Sequence, residues 1–363
     1  MHLIRMLSLC LFCLGNLSQG AEAKTPVIID TDMAIDDWLA MFYLLHHPSS
    51  RVLGVTVTGA GEAHCQPGAQ HAVDLVDLTP QKGIPVACGP GEPMDGFHQF
   101  PAPWREGADT FYGVPLKASS RKPDPRSAPD VLIDLLERAD APVSLVILGN
   151  ATNVALALGK APQIKKKIER IAFMGGSIWA GGNIIVPNFT DKHKNKTAEW
   201  NILIDPIAAR IVLESGIPVT LVPLDGTNHV KVTPADASAM KAAARTDGAR
   251  FFSQILDKTK WFIDSGEYYF WDALTAAVIL HPEFCTLKDL PLEVIVAYSE
   301  KTNGDPLPAF GKQRWDGKER RNFDPYFTGQ TILSDRGAMT RVCVAADAKA
   351  FKKDLIHTIN LRP

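Results

Sequence analysis

The chain has no marked excess of either charge: 38 Lys and Arg against 40 Asp and Glu leave a formal net charge of -2 over 363 residues. So even a balance gives no long-range field to draw in nucleic acid or an anionic membrane. The most basic stretches, Lys165-Lys166-Lys167 and 192–196, lack the interleaved aromatics on which bases stack, and they read as solvated surface. Cysteine is scarce, with six residues. Cys65, Cys88, Cys285 and Cys343 are too widely spaced for a zinc site, and spacing alone leaves disulfides and free buried thiols equally open. The amino-terminal apolar run, 6–14, is too short to be a permanent membrane span. Arg5 precedes it and Ala21-Glu22-Ala23 offers a small-x-small cleavage site, so 1–23 is expected to be a signal peptide that takes Cys10 and Cys13 with it. A periplasmic or secreted mature chain, 24–363, without stable membrane association follows from that expectation. Neither an internal repeat nor a linker interrupts it.

What is present is alternation. Apolar, strand-like runs at 27–29, 52–57, 143–148, 171–174 and 219–222 are separated by helical patterns at 38–45, 69–78, 128–139, 153–158 and 206–215. Such alternation predicts an α/β fold: a single-domain, open, mostly parallel twisted sheet with helices on both faces. A hydrophobic fraction of 46% suffices for its core. Two irregular stretches, 89–125 and 179–197, are candidate walls of an active site, since long loops in compact domains tend to be functional or disordered.

The most informative segment is Asp30-Thr31-Asp32-Met33-Ala34-Ile35-Asp36-Asp37, four aspartates directly after Val27-Ile28-Ile29. Carboxylates this close repel one another unless a hard cation sits among them. Their place, at the carboxyl end of a strand and the start of a helix, is where open α/β sheets bind ligands. Capping of turns and helix would explain one Asp but not four. Asp-x-Asp after a strand also resembles the nucleophile motif of haloacid-dehalogenase-type phosphatases, although that motif continues with Thr or Val where this chain has Ala34.

Asp30-Thr31-Asp32-x-x-x-Asp36-Asp37 resembles the signature of the nucleoside hydrolases, ribosidases that cleave the N-glycosidic bond of nucleosides with a bound Ca²⁺. Further segments match in order: Thr152-Asn153-Val154-Ala155, Met174-Gly175-Gly176, Gly182-Asn183, Ala198-Glu199-Trp200-Asn201, Asp205-Pro206, Leu224-Asp225-Gly226-Thr227-Asn228 and Trp271-Asp272-Ala273-Leu274-Thr275-Ala276. They cover about 26–282, and the rest aligns loosely. The resemblance implies a Rossmann-like fold and Ca²⁺ held by Asp32, Asp37, Asp272 and the Thr152 carbonyl. It casts Asp32 as the general base that activates a metal-bound water, and Asp36, Asn183, Glu199 and Asn201 as partners of the ribose hydroxyls. Many members place His before the metal-binding Asp as an acid toward the leaving base; this chain has Tyr268-Tyr269-Phe270-Trp271-Asp272. That is similar to the purine-preferring (inosine-adenosine-guanosine) branch, and Phe100-Pro101-Ala102-Pro103-Trp104-Arg105 resembles its second tryptophan segment. Trp104 and Trp271 are thus expected to sandwich and stack a purine, with protonation from solvent or from a group such as Tyr268 or Tyr269.

The chain departs from the family pattern at Gly59-Ala60-Gly61, where an Asn or Asp is usual, with Glu62 and His64 as nearby substitutes, and in the 16-residue spacing from Asn183 to Glu199. The implied activity is Ca²⁺-dependent hydrolysis of purine ribonucleosides to base and ribose, in nucleoside salvage, by a homodimer or homotetramer. The alternatives are a ribohydrolase for pyrimidine nucleosides or another N-riboside, and a non-catalytic periplasmic nucleoside-binding protein.

Overall fold

Strand β1 (Thr25–Thr31) is buried over its last five residues, on both of its faces. An apolar strand of this kind belongs in the middle of a parallel sheet, covered on both sides. In the computed structural model, which describes residues 23–94, 98–187, 190–191, 193–297 and 326–362, β1 pairs in parallel with β2 (Ser50–Val57) and β4 (Val143–Ile147). Strands β3 (Val86–Cys88), β5 (Ile168–Met174) and β6 (Val219–Val222) extend the parallel part. Strands β7 (Cys285–Val294), β8 (Thr331–Leu333) and β9 (Ala338–Ala346) complete a nine-stranded sheet in the order β3-β2-β1-β4-β5-β6-β9-β7-β8, with β7 antiparallel to both β8 and β9. The expected α/β architecture is therefore present, with an antiparallel edge that the alternation did not predict. Except for Ala23, the expected signal peptide lies outside the described residues, as do 188–189 and 192 of the loop 179–197.

The order reverses between β2-β1 and β4-β5, so the carboxyl ends of β1 and β4 flank a topological switch point. Two cores cover the sheet. On one face Trp38, Phe42, Leu75, Phe252, Leu274 and Phe351 pack together; on the other, Leu132, Val154, Leu158, Ala208 and Val212 do so. The helix Ile35–His46 is buried at every residue, because it lies against helix Trp271–Val278 as well as the sheet. Among the described residues no helix is long and apolar enough to cross a membrane. The cysteines pair as Cys65–Cys88 and Cys285–Cys343.

Helices Ile35–His46 and Trp271–Val278 carry acids in their first turns and meet again beyond their last. There His47 Nε2 lies 3.1 Å from His281 Nε2, and His281 Nδ1 lies 2.9 Å from Glu283 Oε1. The Ser49 N–H donates to His47 Nδ1 at 3.2 Å. That bond leaves the His47 proton on Nε2, which donates to His281, whose Nδ1–H donates to Glu283.

Candidate active site

The loop after β1 is folded around Asp37. Its carboxylate accepts the Thr31 hydroxyl, the Asp32 N–H at 3.1 Å and the Ala34 N–H at 3.0 Å. Ala34 is the residue at which the helix starts, so Asp37 caps an amino terminus that itself favours negative charge. Met33 takes up the reversal with φ of +63°, and its carbonyl accepts from Trp38 Nε1 at 3.0 Å. Asp32 is packed against bare backbone on two sides: a Cβ at Gly61 would lie 2.1 Å, and one at Gly149 2.4 Å, from the Asp32 Cβ. The glycine at 61 is thus needed by Asp32, which explains why no larger side chain stands there.

Asp272 enters from the first turn of helix Trp271–Val278, buried, with Oδ1 lacking a hydrogen-bond partner among the described residues. Carboxylate oxygens of Asp36, Asp37 and Asp272 all lie within 4.8 Å of one another. Asp36, expected at the ribose, therefore stands in this closest triple, while Asp32, expected as a ligand, adjoins it. Burial first, then the neighbouring carboxylates, pushes Asp36 up to about 8 and Asp32 and Asp272 well above the usual carboxylate range. Glu62 is pushed up to about 8 by burial and by Asp36 and Asp37. An orphaned buried oxygen among crowded hard donors fits a divalent cation, which would hold these groups ionised.

Asp30, the first acid of the run, is used differently. Thr56 Oγ1 donates to its Oδ1 at 2.6 Å and Asn153 Nδ2 at 2.8 Å, so it braces β1 between β2 and the helix Thr152–Lys160. Thr152 starts that helix at the end of β4; its hydroxyl donates to Asp205 Oδ2 at 2.6 Å.

Glu199 caps the helix Trp200–Ile204, taking N–H groups from Gly176 at 3.0 Å, Asn201 at 2.9 Å and Ile202 at 3.1 Å. Burial outweighs those bonds and pushes it up to about 7. Asn201 donates its amide to Leu148 O at 2.8 Å and Met174 O at 3.2 Å, ending β4 and β5 on one side chain, and among the described residues its Oδ1 accepts no hydrogen bond. Asn183 accepts the Trp200 N–H at 3.1 Å on its side chain and the Trp200 indole N–H at 3.0 Å on its carbonyl. The expected ribose contacts are therefore also the ties that hold this rim together.

The aromatic side divides into two clusters. Trp104, half-buried in helix Ala102–Ala108, meets Trp200 edge-on at 5.4 Å, and Trp200 stacks on Phe100 at 5.1 Å. Trp271, also half-buried, packs with Tyr269 at 5.5 Å, Tyr268 at 5.9 Å and Phe262 at 6.2 Å. Tyr268 is wholly buried, its hydroxyl has no partner among the described residues, and burial followed by Asp36, Tyr112, Asp272 and Glu62 pushes it well up. It is therefore enclosed rather than open to solvent. Of the two substitutes near Gly61, His64 is paired with Asp109 at 2.6 Å, whereas Glu62 lies close enough to Asp36 and Asp37 to feel their charge. Tyr112, whose hydroxyl donates to Glu62 Oε1 at 3.3 Å, is a site neighbour that no local pattern marks, since 50 residues separate the two.

A strand-loop-helix acid cluster at a switch point, joined by an acid from a distant helix, draws on residues from most of the chain, and the family match extends over most of the chain too. The family model described as inosine-uridine preferring nucleoside hydrolase matches residues 27–353. This chain belongs to that family. The nucleoside hydrolase is 30% identical over 277 residues to a pyrimidine-specific ribonucleoside hydrolase of Enterobacter sp. (strain 638), covering 73% of this chain and 82% of the relative. It is 28% identical over 316 residues to uridine nucleosidase 1 of Arabidopsis thaliana, covering 84% and 88%. Its fold is similar to that of a purine-preferring ribonucleoside hydrolase from Gardnerella vaginalis, with a TM-score of 0.71 at 25% identity over 93% of this chain and 98% of that one. A plant nucleoside hydrolase superposes with a TM-score of 0.75 at 23% identity, over 93% and 99%. Membership of this family sets the phosphatase reading aside.

Proposed function

We propose that this nucleoside hydrolase cleaves purine ribonucleosides to free base and ribose with Ca²⁺ as its metal. The observation that carries the reading is the meeting of Asp36, Asp37 and Asp272, beside Asp32, at the switch point of the sheet. Asp32, Asp37, Asp272 and the Thr152 carbonyl would hold the cation, with Asp36 near enough to join. When bound, such a cation gathers water and sugar hydroxyls and makes the water more acidic. Asp32 takes the proton from the attacking water as the bond from C1′ to the base nitrogen breaks through an oxocarbenium-like transition state. Asp36 and the free Oδ1 of Asn201 hold ribose hydroxyls, and Glu199 and Asn183 fix the rim on which Asn201 stands. Losing one such hydroxyl leaves a buried acceptor unpaired, so 2′-deoxy substrates should be poor.

Trp271 and Trp104 face the base from their separate clusters, favouring a purine for its larger face. Tyr268 is enclosed, so the proton for the leaving nitrogen comes from solvent or from the partly exposed Tyr269. A pyrimidine preference is the second reading, favoured by the names of the relatives from Enterobacter and Arabidopsis. Export is supported by the amino-terminal pattern of the sequence and by the pairing of all four remaining cysteines.

The test is release of reducing sugar from inosine, guanosine, uridine and 2′-deoxyinosine, repeated with Trp271→Ala. We expect inosine or guanosine to be fastest, and the variant to lose about 10- to 100-fold on purines, the scale of one base–aromatic stack. Hydrolysis of p-nitrophenyl riboside, whose leaving group needs no help, should suffer far less. Faster uridine cleavage overturns the purine assignment; no ribose from any of them overturns hydrolysis and leaves a binding protein.

A further inference from the structure

Next to the crowded aspartates is a carboxylate that the proposed mechanism does not use. Glu62 lies on the loop 59–63, which is pinned from one side by Arg105: its guanidinium donates to Gly59 O at 2.9 Å and to Ala63 O at 3.4 Å. The following residue is pinned too, His64 giving its N–H to Asp109 Oδ1 at 2.7 Å and its Nδ1 approaching Oδ2 at 2.6 Å. The loop also presses on Asp32 through Gly61. Glu62 therefore comes off a fixed backbone, half-buried, beside the group that takes the water's proton.

One of its oxygens is committed and the other is not. Oε1 accepts the Tyr112 hydroxyl at 3.3 Å, while Oε2 accepts no hydrogen bond among the described residues. Tyr112 reaches Glu62 through a backbone that bulky residues avoid: Phe111 and Tyr112 in succession hold φ of +49° and +51°. A side chain at Gly107 would forbid this, since a Cβ there would lie 2.5 Å from Tyr112 Cε1. A second polar group is unspent nearby: the Tyr268 hydroxyl is wholly buried and has no hydrogen-bond partner among the described residues, close enough to Asp36, Tyr112, Asp272 and Glu62 for their charge to act on it. A carboxylate fixed at one oxygen and open at the other, on a rigid loop, is what recognition of a hydrogen-bond donor requires.

We propose that Glu62, positioned by Tyr112, is a specificity-determining residue of this site, its free oxygen accepting a hydrogen bond from a donor on the nucleoside other than the 2′ and 3′ hydroxyls. The inference rests on the nucleoside hydrolase reading above. Two parts of a nucleoside carry such a donor, an N–H on the edge of the base and the 5′-hydroxyl, and the experiment separates them. Either donor would be read by Glu62 in the same chemical terms, as an N–H or O–H given to a carboxylate.

The measurement compares inosine with 1-methylinosine and with 5′-deoxyinosine, in the full chain with Ca²⁺, for the unaltered protein, Glu62→Gln and Glu62→Ala. In the unaltered protein, removing the recognised donor should lower kcat/KM by at least about 10-fold. In Glu62→Ala that penalty should shrink to within about 2-fold, for 1-methylinosine if the base is read and for 5′-deoxyinosine if the sugar is. Tyr112→Phe, which removes only the bond that fixes Glu62, should shrink the same penalty in part and raise KM more than it lowers kcat. Calorimetric binding of the same three nucleosides gives the ratios without turnover, so absence of hydrolysis and absence of donor recognition are separate results. Penalties that are the same in the unaltered protein and in both Glu62 variants, for both analogues, overturn the proposal; so does a Tyr112→Phe protein with the unaltered pattern.

Discussion

Two sets of buried carboxylates share the carboxyl end of this sheet, and they are treated in opposite ways. Asp225, Asp205 and Glu199 are surrounded by donors: Asp225 takes the N–H groups of Ile178 at 2.8 Å, Trp179 at 2.8 Å and Ala180 at 3.1 Å, and Asp205 those of Met94 at 2.8 Å and Ala208 at 3.0 Å. Asp32, Asp36 and Asp272 instead stand among other carboxylates with fewer donors: Asp32 takes the Ala34 N–H at 3.2 Å, and among the described residues the buried Oδ1 of Asp272 has no donor. A buried carboxylate costs several kcal/mol unless it is bonded or paired. Asp225 and Asp205 offset that cost with donors of the chain and hold loops in place, and Glu199 offsets it in part. The second set does not, which marks it as the set kept for a ligand. Asp37 belongs to both, capping a helix while forming one corner of the triple with Asp36 and Asp272.

The largest test of this contrast is removal of the cation. A verified metal-free protein should have no turnover, and restored Ca²⁺ should return it; full activity without metal would place the crowded acids outside the chemistry. Next, Asp32→Asn should lower kcat by at least about 10²-fold with the circular dichroism and melting profile intact, the scale of a general base. A variant within a few-fold of the unaltered enzyme would move that role elsewhere.

For the satisfied set the expected damage is to stability. Asp225→Ala frees three loop amides at once, those of Ile178, Trp179 and Ala180, and hydrogen bonds to a charged acceptor are worth about 1.5–3 kcal/mol each before relaxation and solvent replacement. We expect a loss of roughly 2–4 kcal/mol in chemical denaturation, with a smaller effect on kcat than Asp32→Asn. An unchanged denaturation midpoint would break the contrast from this side.

The smallest effect is a pH dependence. In the metal-free chain the crowded acids titrate higher than when unfolded, Asp36 at about 8. Raised values mean that their contribution is fully present below the unfolded value near 4 and is lost as pH rises through the folded value. A bound divalent cation would hold the same groups ionised, so a rise in Tm produced by Ca²⁺ should grow between about pH 5 and 8. His46, His47 and His71 are lowered by burial, His98 to about 3 and His193 to about 4. Their contribution is lost as pH falls below about 6.5, with or without metal, and it cancels in the difference between the two curves. A Ca²⁺ effect independent of pH would mean that the acids do not titrate together.

What could be read from the sequence was what lies close along the chain. Val27-Ile28-Ile29 and the acids after them specify strand, loop and helix within a dozen residues, and β1 with its helix stands where they imply. The antiparallel edge was illegible because β7 carries Lys288, Asp289 and Pro291 and shows no regular alternation of burial. In the site, Asp272 was found only through the family motif, since nothing local distinguishes it from a helix-capping Asp. Asp30 was grouped with its neighbours, yet its partners Thr56 and Asn153, 26 and 123 residues away, make it a brace. Tyr112 gave no signal, because its conformation is set by contacts that no window of sequence contains.

The His47–His281 contact gives the metal site a lever. Helix Ile35–His46 has 12 residues, a rod of about 18 Å with acids at one end and the histidine pair just beyond the other. A tilt of about 3° about that far end displaces the acids by about 1 Å, and a misplacement of that size can cost about 10²-fold in rate. A displacement at the opposite end of this helix, where two imidazoles share one proton between facing nitrogens, would therefore reach the carboxylates. A second proton there would set two N–H groups against each other. Substitutions at His47, His281 or Glu283 are where variants that touch no substrate should alter how tightly the cation is held.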